Sequence, residues 1–398
     1  MRRIALRLPD DGVWTGGVNY VENVSRALLS HGEFGYEPVV LCSPQADAQL
    51  QARFEALLGT RLTRDAQLPR GRRAGLLGAV LLGRNHAMRA VCERSGCDLI
   101  LEAADFFGWR FPTPCLAWVP DFQDRHLPQL FSHWARYRRS LGLSLQLAAG
   151  RTVLLSSEDA RKDCERFYPE ARGKTSVARF AVLPALAPGE HDSHLRSRYD
   201  LPARFFYLPN QFWAHKNHAG VIEALRLLRT RGGGVVVATS GSPREPRQAG
   251  HFERLRARVA ATGLREHFRF LGNVPARDVA LLMRASVALL NPSFFEGWST
   301  TVEEGKSLGV RMVLSDLAVH REQIGSGADF FDPHAPDAIA ACLERVWHDS
   351  REPVGLPEQQ AAAASARQRV REFAHDFTRA CERTLAARSR RSASPGVL

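Results

Sequence analysis

The chain has 398 residues, which is more than one ordinary hydrophobic core supports and fits two domains of roughly 150–200 residues each. Hydrophobic residues make up 44% and charged residues 24%, which excludes a disordered chain, and no apolar run approaches the ~20 residues that span a bilayer. The net charge is +12, and all but four of the 54 basic residues are arginines, so either an anionic partner or a GC-rich genome accounts for the excess.

Strand-like apolar runs alternate with helical patterns from the first residues onward. The run RIALRL, residues 3–8, predicts a first strand rather than a signal peptide, and apolar residues at helical spacing predict a helix over 16–32. Further strands are predicted at 37–43, 97–103, 115–120 and 151–157, and a helix follows at 158–169. Seven scattered cysteines without a CxxC pair predict free thiols in a reducing cytoplasm and argue against a structural zinc.

The alternation restarts after residue 200. A strand at 204–210 precedes an amphipathic helix at 215–232, and further strands are predicted at 234–241, 268–274, 286–293 and 311–316. Two such blocks predict an α/β protein of two doubly wound, Rossmann-like domains with a ligand cleft at the carboxyl ends of their strands. The expected boundaries are a first domain at 1–185, a linker at 186–203, a second domain at 204–356, a helical segment at 357–388 and a disordered tail at 389–398.

The stretch FFEGWSTTVEEGKSLG, residues 294–309, is the first candidate site. Ser299 and Thr300 suit the start of a helix, with Glu303 as a capping-box partner. A helix amino end offers free N–H groups to a phosphate, and Glu296 and Glu304 offer acceptors to hydroxyl groups. An ordinary acidic helix start explains the same residues, so the pattern alone leaves both interpretations open.

Three other loops carry polar groups or glycines after predicted strands. Asn210, Gln211 and Lys216 follow one strand, and Lys216 is one of the few lysines. Gly16 and Gly17, between the first strand and helix, would let a ligand approach the backbone. Asp121, Gln123 and His126 follow the strand at 115–120. Solvated loops and a tight turn are the alternatives in each case.

A short apolar block flanked by arginines occupies residues 70–94. Its basic residues are Arg70, Arg72, Arg73, Arg84, Arg89 and Arg94. At about 1 kcal/mol per basic residue near an anionic leaflet, this segment would hold the protein on a membrane surface. An ordinary helix with an arginine-rich outer face is the alternative.

The order of these stretches resembles glycosyltransferase family 4 (group 1), the retaining transferases of GT-B fold. The family pattern E-G-F-G-x-x-x-x-E reads here EGWSTTVEE, beginning at Glu296 and reaching Glu304, within a resemblance that is clearest over about 205–347. The stretches NPSFFEG, GVRMVLSDLAVHREQIG and DFFDPHAPDAIAACL follow the family's order, and a weaker match includes TGGVNYVENVSRAL, PDFQDRHLP and VLLSSEDARKD. The resemblance implies a GT-B fold.

The resemblance also implies roles for residues. Glu304 would accept the ribose hydroxyls of a nucleotide, Glu296 would contact the donor sugar, and Lys216 would help hold the diphosphate. Asp121 and Glu296 are the implied catalytic residues, with Gln123 and His126 on the acceptor side. The implied donor-binding residues are Gly16, Gly17, Asn210, Gln211, Lys216, Gly297, Trp298, Ser299, Thr300 and Glu304.

The implied reaction transfers a sugar with retention of configuration, and the leaving diphosphate helps to take the acceptor's proton. It requires neither a metal nor a cofactor. Three positions depart from the family: Asn210 and Gln211 replace a common Gly-Arg, Ser299 replaces a glycine, and Pro120 precedes Asp121 where many members have histidine. One phosphate cation must therefore come from elsewhere.

The sequence thus predicts a cytoplasmic transferase, peripheral on the inner face of the cytoplasmic membrane. It would move a hexose from a nucleotide-diphosphate sugar to a glycan or lipid-linked saccharide of a surface polysaccharide such as lipopolysaccharide. GDP-mannose is the first choice of donor from family frequency, with UDP- and dTDP-sugars open. The alternatives are a sugar-nucleotide epimerase of the same fold and an arginine-rich, non-catalytic nucleic-acid binder. Because the arginines are spread over both blocks, no nucleic-acid partner is expected.

Overall fold

The computed structural model describes residues 1–9, 15–68, 76–103, 105–349 and 354–393. The chain divides into two compact units. The first consists of Met1–Phe122, His133–Ala181 and Arg369–Leu398, and the second of Gln123–Ser132 and Val182–Gln368. Each unit alternates strands with helices, which confirms the predicted α/β fold class.

Each unit is built on one parallel sheet. The strands of the first unit are β1 Arg2–Arg7, β2 Tyr36–Cys42, β3 Leu62–Arg64, β4 Leu99–Ala103, β5 Cys115–Trp118, β6 Thr152–Leu155 and β7 Thr175–Val177. Those of the second are β8 Phe206–Leu208, β9 Val237–Ser240, β10 Phe268–Gly272, β11 Ala288–Asn291, β12 Met312–Ser315 and β13 Asp329–Phe331. The sequence pattern gives no sign of β3, β7 and β13, because each is short and contains polar residues, so that it forms no apolar run.

The strand orders are those of doubly wound folds. The first sheet runs β3-β2-β1-β4-β5-β6-β7 and the second β10-β9-β8-β11-β12-β13. The helices are α1 Thr15–Ser30, α2 Ala48–Leu58, α3 Leu76–Leu81, α4 His86–Arg94, α5 Gln123–His126, α6 His133–Ala148, α7 Glu158–Phe167, α8 Leu195–Arg198, α9 His218–Thr230, α10 His251–Ala261, α11 Ala276–Ala285, α12 Thr300–Leu308, α13 Ala318–Ile324, α14 Pro336–His348 and α15 Leu356–Ala393.

The central strands are mostly apolar because helices cover both faces of each sheet. In β8, Phe206 and Leu208 belong to a core cluster on one side of the sheet, and Tyr207 belongs to the cluster on the other. Successive side chains of a strand point to opposite faces, so a strand buried on both sides reads as one continuous apolar run.

The boundaries differ from the expected ones in three places. Residues 186–203, expected as a linker, supply the buried side chains of Leu186, Leu195 and Leu201 to the core of the second unit. Residues 123–132 group with the second unit although they follow a strand of the first. Helix α15 is longer than the expected segment at both ends, and of the expected tail only 394–398 lie outside the described residues.

All seven cysteines are free thiols, which confirms that prediction. Six of them are buried, and only Cys97 is partly exposed. Within the described ranges, no helix combines the length and the hydropathy that crossing a bilayer requires.

Candidate functional site

The order of the strands in the second sheet reverses between its two central strands, β8 and β11. From β8 the chain continues to β9 and β10 on one side, whereas β11 continues to β12 and β13 on the other. In open parallel sheets, the loops at the carboxyl ends of such strands diverge and leave a crevice for ligands. Loop 209–217 after β8 and loop 292–299 after β11 start at this point. They and the first residue of α12 carry the predicted Asn210, Gln211, Lys216, Glu296, Gly297, Trp298, Ser299 and Thr300.

Asn291, the last residue of β11, organises the polar interior between the two loops. Its side-chain amide donates to Ser299 Oγ at 3.0 Å. Its Oδ1 accepts from Asn210 Nδ2 at 3.2 Å and from Ser293 Oγ at 2.7 Å. All four side chains are buried, and buried polar groups need such partners, so the network fixes both loops. Sequence reasoning found Asn210 and missed Asn291, whose only signal is its place at the polar end of an apolar run.

Lys216 and Glu296 form an ion pair between the two loops. The Nζ atom of Lys216 lies 2.7 Å from Oε1 of Glu296, which also accepts from Ser293 Oγ at 2.7 Å. Their side chains are only 13% and 9% exposed. Burial by itself raises the pKa of Glu296, but the Lys216 ammonium, helped by the imidazoles of His215 and His320, lowers that pKa to about 2. Glu296 is therefore ionised at neutral pH.

Helix α12 begins directly after this loop and presents backbone donors. Ser299 caps it, with its Oγ accepting from the N–H of Val302 at 3.4 Å. The N–H of Ser299 itself donates to Gln323 Oε1 at 3.0 Å. In the described part of the chain, the N–H groups of Thr300 and Thr301 have no acceptor. They are free to bind an anion, which the positive end of the helix dipole also favours.

Glu304 lies one turn further along α12. Its side chain is half-buried, and none of the described residues forms an ion pair or a hydrogen bond with its carboxylate. Burial raises the pKa of Glu304 to about 7. A carboxylate taken from water without a partner costs free energy, so hydroxyl donors of a ligand would relieve that cost.

Glu303 and Lys306 have structural contacts. Glu303 is only 1% exposed, and its Oε1 lies 2.9 Å from Lys306 Nζ and 3.2 Å from Gln323 Nε2. The expectation that Glu303 completes a capping box is wrong, because Gln323 takes the N–H of Ser299. Lys306 therefore neutralises a buried carboxylate.

Gly297 and Trp298 lead the chain from Glu296 into the helix. Trp298 is buried and Gly297 is half-buried, and the role of both in binding a donor stays a prediction. Within the described ranges, no group of three or more His, Cys, Asp and Glu side chains has a metal-binding arrangement. The positive charge beside this loop comes from Lys216 and from the amino end of α12.

Gln211 holds a neighbouring loop. Its Oε1 accepts from the backbone N–H of Ser242 at 2.9 Å. The two loops approach so closely that a Cβ at Gly241 would lie 2.5 Å from the carbonyl oxygen of Asn210. Only glycine fits there, and its φ of +150° is also one that other residues avoid. Gln211 thus fixes the loop after β9 and brings no cation.

Arg247, in that same loop, is a cation that sequence reasoning missed. Its guanidinium donates to Gln123 Oε1 at 2.7 Å and to His215 Nδ1 at 3.3 Å, and it lies 3.3 Å from Glu245 Oε1. Burial, together with the charge of Lys216, lowers the pKa of His215 well below its usual range, so the ring is a neutral acceptor. Arg247 therefore holds the turn at 214–216 that carries Lys216. Nothing in the run GSPREPRQ distinguishes Arg247 from Arg244.

The predicted acceptor-side residues contact the second unit beside these loops. Gln123 bonds to Arg247, and the ring of Phe131 lies 5.1 Å from that guanidinium. The ring of His126 stacks on Phe295 with 5.0 Å between the centroids, and Phe295 directly precedes Glu296. Segment 123–132 therefore contacts the loop of Glu296 through His126 and reaches the loop of Lys216 through Arg247, which bonds to His215.

Three predicted residues belong to the first unit. Gly16 and Gly17 lie in the first turn of α1 and not before it, because the helix begins at Thr15. Asp121 bonds through Oδ1 to Arg139 Nη2 at 2.6 Å, and the same nitrogen donates to the Asp121 carbonyl at 3.0 Å. Their approach to a donor sugar stays a prediction.

Comparison with known proteins places this site in a family. Residues 198–369 match the family model described as glycosyl transferases group 1. A 90-residue stretch is 38% identical to O-antigen chain mannosyltransferase B of Escherichia coli, covering 22% of this chain and 24% of that enzyme. The match thus spans about a quarter of that relative's length.

Solved structures resemble the chain over nearly its whole length. A glycosyltransferase from Rickettsia africae has a TM-score of 0.68 at 14% identity, covering 96% of this chain and 98% of that one. Anabaena HepE in complex with UDP and glucose has a TM-score of 0.70 at 16% identity, covering 96% and 100%. At such identities the likeness establishes the fold.

The two doubly wound sheets and the likeness to these solved structures define a GT-B-like fold. Residues 198–369, the part that carries Lys216, Glu296 and Glu304, match the model of the group 1 glycosyl transferases, and they make up less than half of the chain.

Proposed function

We propose that this chain transfers a hexose from a nucleotide-diphosphate sugar to a saccharide acceptor, with retention of anomeric configuration. The observation that carries the proposal is Glu304, a half-buried carboxylate without a partner one turn from the amino end of α12. It would accept the ribose hydroxyls, while Lys216 and the N–H groups of Thr300 and Thr301 face the diphosphate. The family match and the UDP and glucose bound to HepE support a nucleotide-sugar donor.

The charges of the site suit the departure of a diphosphate. Negative charge grows on the leaving group as the sugar–phosphate bond breaks, and fixed donors that face this charge lower the barrier. Lys216 and the helix dipole supply such donors without rearranging. A diphosphate oxygen takes the proton of the acceptor hydroxyl, and the new glycosidic bond forms on the face that the diphosphate leaves. The ionised Glu296 would hold a sugar hydroxyl, with Asp121 near the acceptor.

The partial relative supports a choice of donor and acceptor. Its name, O-antigen chain mannosyltransferase B, supports mannose as the sugar and a surface polysaccharide as the product. GDP-mannose is accordingly the first donor to test, with UDP- and dTDP-sugars as the alternatives. We place the reaction in the cytoplasm at the inner face of the membrane, where a lipid-linked acceptor is presented.

A nucleotide screen tests the donor site. Thermal unfolding is measured with GDP, UDP and dTDP, for the unaltered protein and for Glu304→Ala. A nucleotide at 100 times its Kd stabilises the folded state by about 2.7 kcal/mol, so the correct base stands out. The expected result is stabilisation by one nucleotide that Glu304→Ala abolishes. Equal stabilisation of both proteins would remove Glu304 from the site, and no stabilisation by any of the three nucleotides would contradict the proposal.

A further inference from the structure

We infer that an apolar and basic face of the first unit docks on an anionic lipid bilayer. The face consists of the outer side of α6, the end of α3 and Trp109, and we call it the α6–α3 face. Its apolar members are Val80, Leu81, Leu82, Trp109, Trp134, Tyr137 and Leu141. The inference concerns the first unit alone and does not rest on the proposed sugar transfer.

Helix α6 carries apolar residues on its solvent-facing side as well as on its core-facing side. Trp134, Tyr137 and Leu141 follow at the i, i+3, i+7 spacing of one helical face and are 64%, 57% and 41% exposed. The opposite side buries Leu143 and Leu147 in the core of the unit. The exposed stripe therefore cannot be explained as the core-facing side of the helix.

The end of α3 continues this stripe. Ala79 of α3 packs in one small cluster with Phe106 and with Ala149 at the end of α6, and Leu145 of α6 packs against it. Leu145 is one turn beyond Leu141 on the same side of the helix. The exposed residues of α3 and those of α6 are thus joined through one buried cluster.

Trp109 belongs to the same surface. Its indole N–H donates to the carbonyl of Val80 at 3.3 Å, and its ring packs on Phe106 edge to face. The backbone N–H of Arg110 donates to the Gly83 carbonyl at 2.7 Å, which fixes this turn against the end of α3. Trp109 and the end of α3 therefore form one surface.

The clustering itself indicates binding. Of the ten large apolar side chains that are exposed in the described part of the protein, seven belong to the α6–α3 face. Single exposed apolar residues are normal on a soluble protein, whereas a contiguous group marks a surface that leaves water on binding. Tryptophan and tyrosine, each with an apolar ring and a polar atom, are the side chains that suit a membrane–water interface.

The charges around the face specify an anionic partner. The three segments that build it, residues 76–92, 106–120 and 133–157, contain no aspartate or glutamate. Arg110 and Arg138 are exposed and Arg84 half-buried, and none of the described acidic residues pairs with them.

Neighbouring arginines are neutralised within the protein. Arg89 pairs with Glu93 at 2.7 Å, and Arg94 pairs with Asp65 at 2.5 Å. Of the segment 70–94 first expected to meet a membrane, Arg70, Arg72 and Arg73 lie outside the described residues. Among the described arginines of segment 70–94, Arg84 is therefore the one without an acidic partner.

A bilayer fits this composition better than another macromolecule. A nucleic acid would select a strongly basic surface rather than four exposed aliphatic side chains beside three aromatic ones. A second copy of this chain would place Arg110 and Arg138 against their own counterparts, with no carboxylates in the three segments to balance them. An anionic leaflet accepts the apolar side chains and attracts the arginines at once.

The test is sedimentation of the full chain with vesicles of pure phosphatidylcholine and of phosphatidylcholine with phosphatidylglycerol in equal parts. We expect binding to the anionic vesicles at low salt and weaker binding at about 0.15 M salt, where exposed charges are screened. The triple variant Trp134→Ser, Tyr137→Ser, Leu141→Ser should bind more than about tenfold more weakly. Arg138→Gln should lose about fivefold.

Matched controls separate this face from general charge and from folding. Arg256 is exposed on α10 of the second unit, and Arg256→Gln removes the same charge elsewhere. It should change vesicle binding by less than about twofold if the position of the charge matters. The serine variant should keep the cooperative urea unfolding transition of the unaltered protein, which shows that it is folded.

Four results would overturn the inference. The first is failure of the unaltered protein to bind anionic vesicles at low salt. The second is full binding by the serine variant. The third is an equal loss for Arg138→Gln and Arg256→Gln. The fourth is a dimer in light scattering that the serine variant abolishes, which would assign the face to a second copy of the chain.

Discussion

Glu296 lies in the loop before α12 and Glu304 lies in α12 itself, and the surroundings of these two glutamates are opposite. Glu296 is ion-paired with Lys216, and the pKa of its carboxyl is lowered to about 2. Glu304 has no partner among the described residues, and burial raises its pKa to about 7. We call the Glu296 end of the site the complete end, because its carboxylate has a partner within the protein. We call the Glu304 end the incomplete end, because a ligand would supply the partners of its carboxylate.

The largest expected effect is at the incomplete end. In Glu304→Ala the two ribose hydroxyls lose a charged acceptor, and hydrogen bonds to charged groups contribute about 1.5–3 kcal/mol each. Nucleotide affinity should fall by at least about a hundredfold, measured by titration calorimetry. Glu304→Gln, which keeps one acceptor oxygen, should lose less. Wild-type affinity in both variants would end the contrast between the two glutamates.

The neighbouring pair Glu303–Lys306 tests whether a buried glutamate in α12 needs a ligand. Lys306→Met removes the ammonium that pairs with the buried Glu303 carboxylate and leaves the bond from Gln323 in place. Removing one member of such a pair costs about 3 kcal/mol of unfolding free energy, measured by urea denaturation. Nucleotide affinity should stay within about twofold. A loss of affinity without a loss of stability would make Lys306 a ligand contact.

A substitution of Glu296, at the complete end, is expected to lower kcat. Glu296→Gln keeps the shape of the side chain but leaves the Lys216 ammonium without its counter-charge. We expect kcat to fall by about a hundredfold, since a charge fixed beside the reacting sugar is lost. Affinity for the free nucleotide should hold or rise, because Lys216 is released toward the diphosphate. A fall in nucleotide affinity with unchanged kcat would exchange the roles of the two glutamates.

The sequence was sufficient to predict the site residues that follow the carboxyl ends of strands. Lys216 and Glu296 follow apolar runs that could be recognised as strands, and parallel strands bring their carboxyl ends to one edge. The α/β alternation likewise predicted both sheets, except for the strands β3, β7 and β13. Local periodicity and turn residues carry this information, and they are visible in a single sequence.

Groups whose role comes from distant contacts could not be predicted. Gln323, which binds the N–H of Ser299, lies 24 residues beyond it, and Arg247 is 124 residues from Gln123. No local pattern specifies such pairs. The burial of Glu303 likewise depends on α13 covering one side of α12.

The raised pKa of Glu304 predicts a pH dependence of stability. The folded protein keeps the proton up to about pH 7, whereas the unfolded chain releases it near the ordinary value of 4.5. Stability is therefore lost as the pH rises through this window. Glu304→Gln lacks the loss, so it should be more stable than the unaltered protein by about 3 kcal/mol at pH 8 and by less than about 0.5 kcal/mol at pH 4.5, measured by urea denaturation. An equal difference at both pH values would contradict an unpaired carboxylate.

The smallest expected effect concerns how Lys216 is held at the complete end. Arg247 joins Gln123 to His215 through two nitrogens of one planar fork, which a lysine cannot reproduce although it keeps the charge. Arg247→Lys should therefore loosen the turn that carries Lys216 and raise KM for the donor about fivefold, equivalent to one lost hydrogen bond of about 1 kcal/mol. The matched control is Arg244→Lys in the same loop, because Arg244 is exposed and bonds through backbone atoms, its N–H to Ser242 and its carbonyl to Trp213. Equal KM values for the two variants would mean that Lys216 is positioned by Glu296 alone.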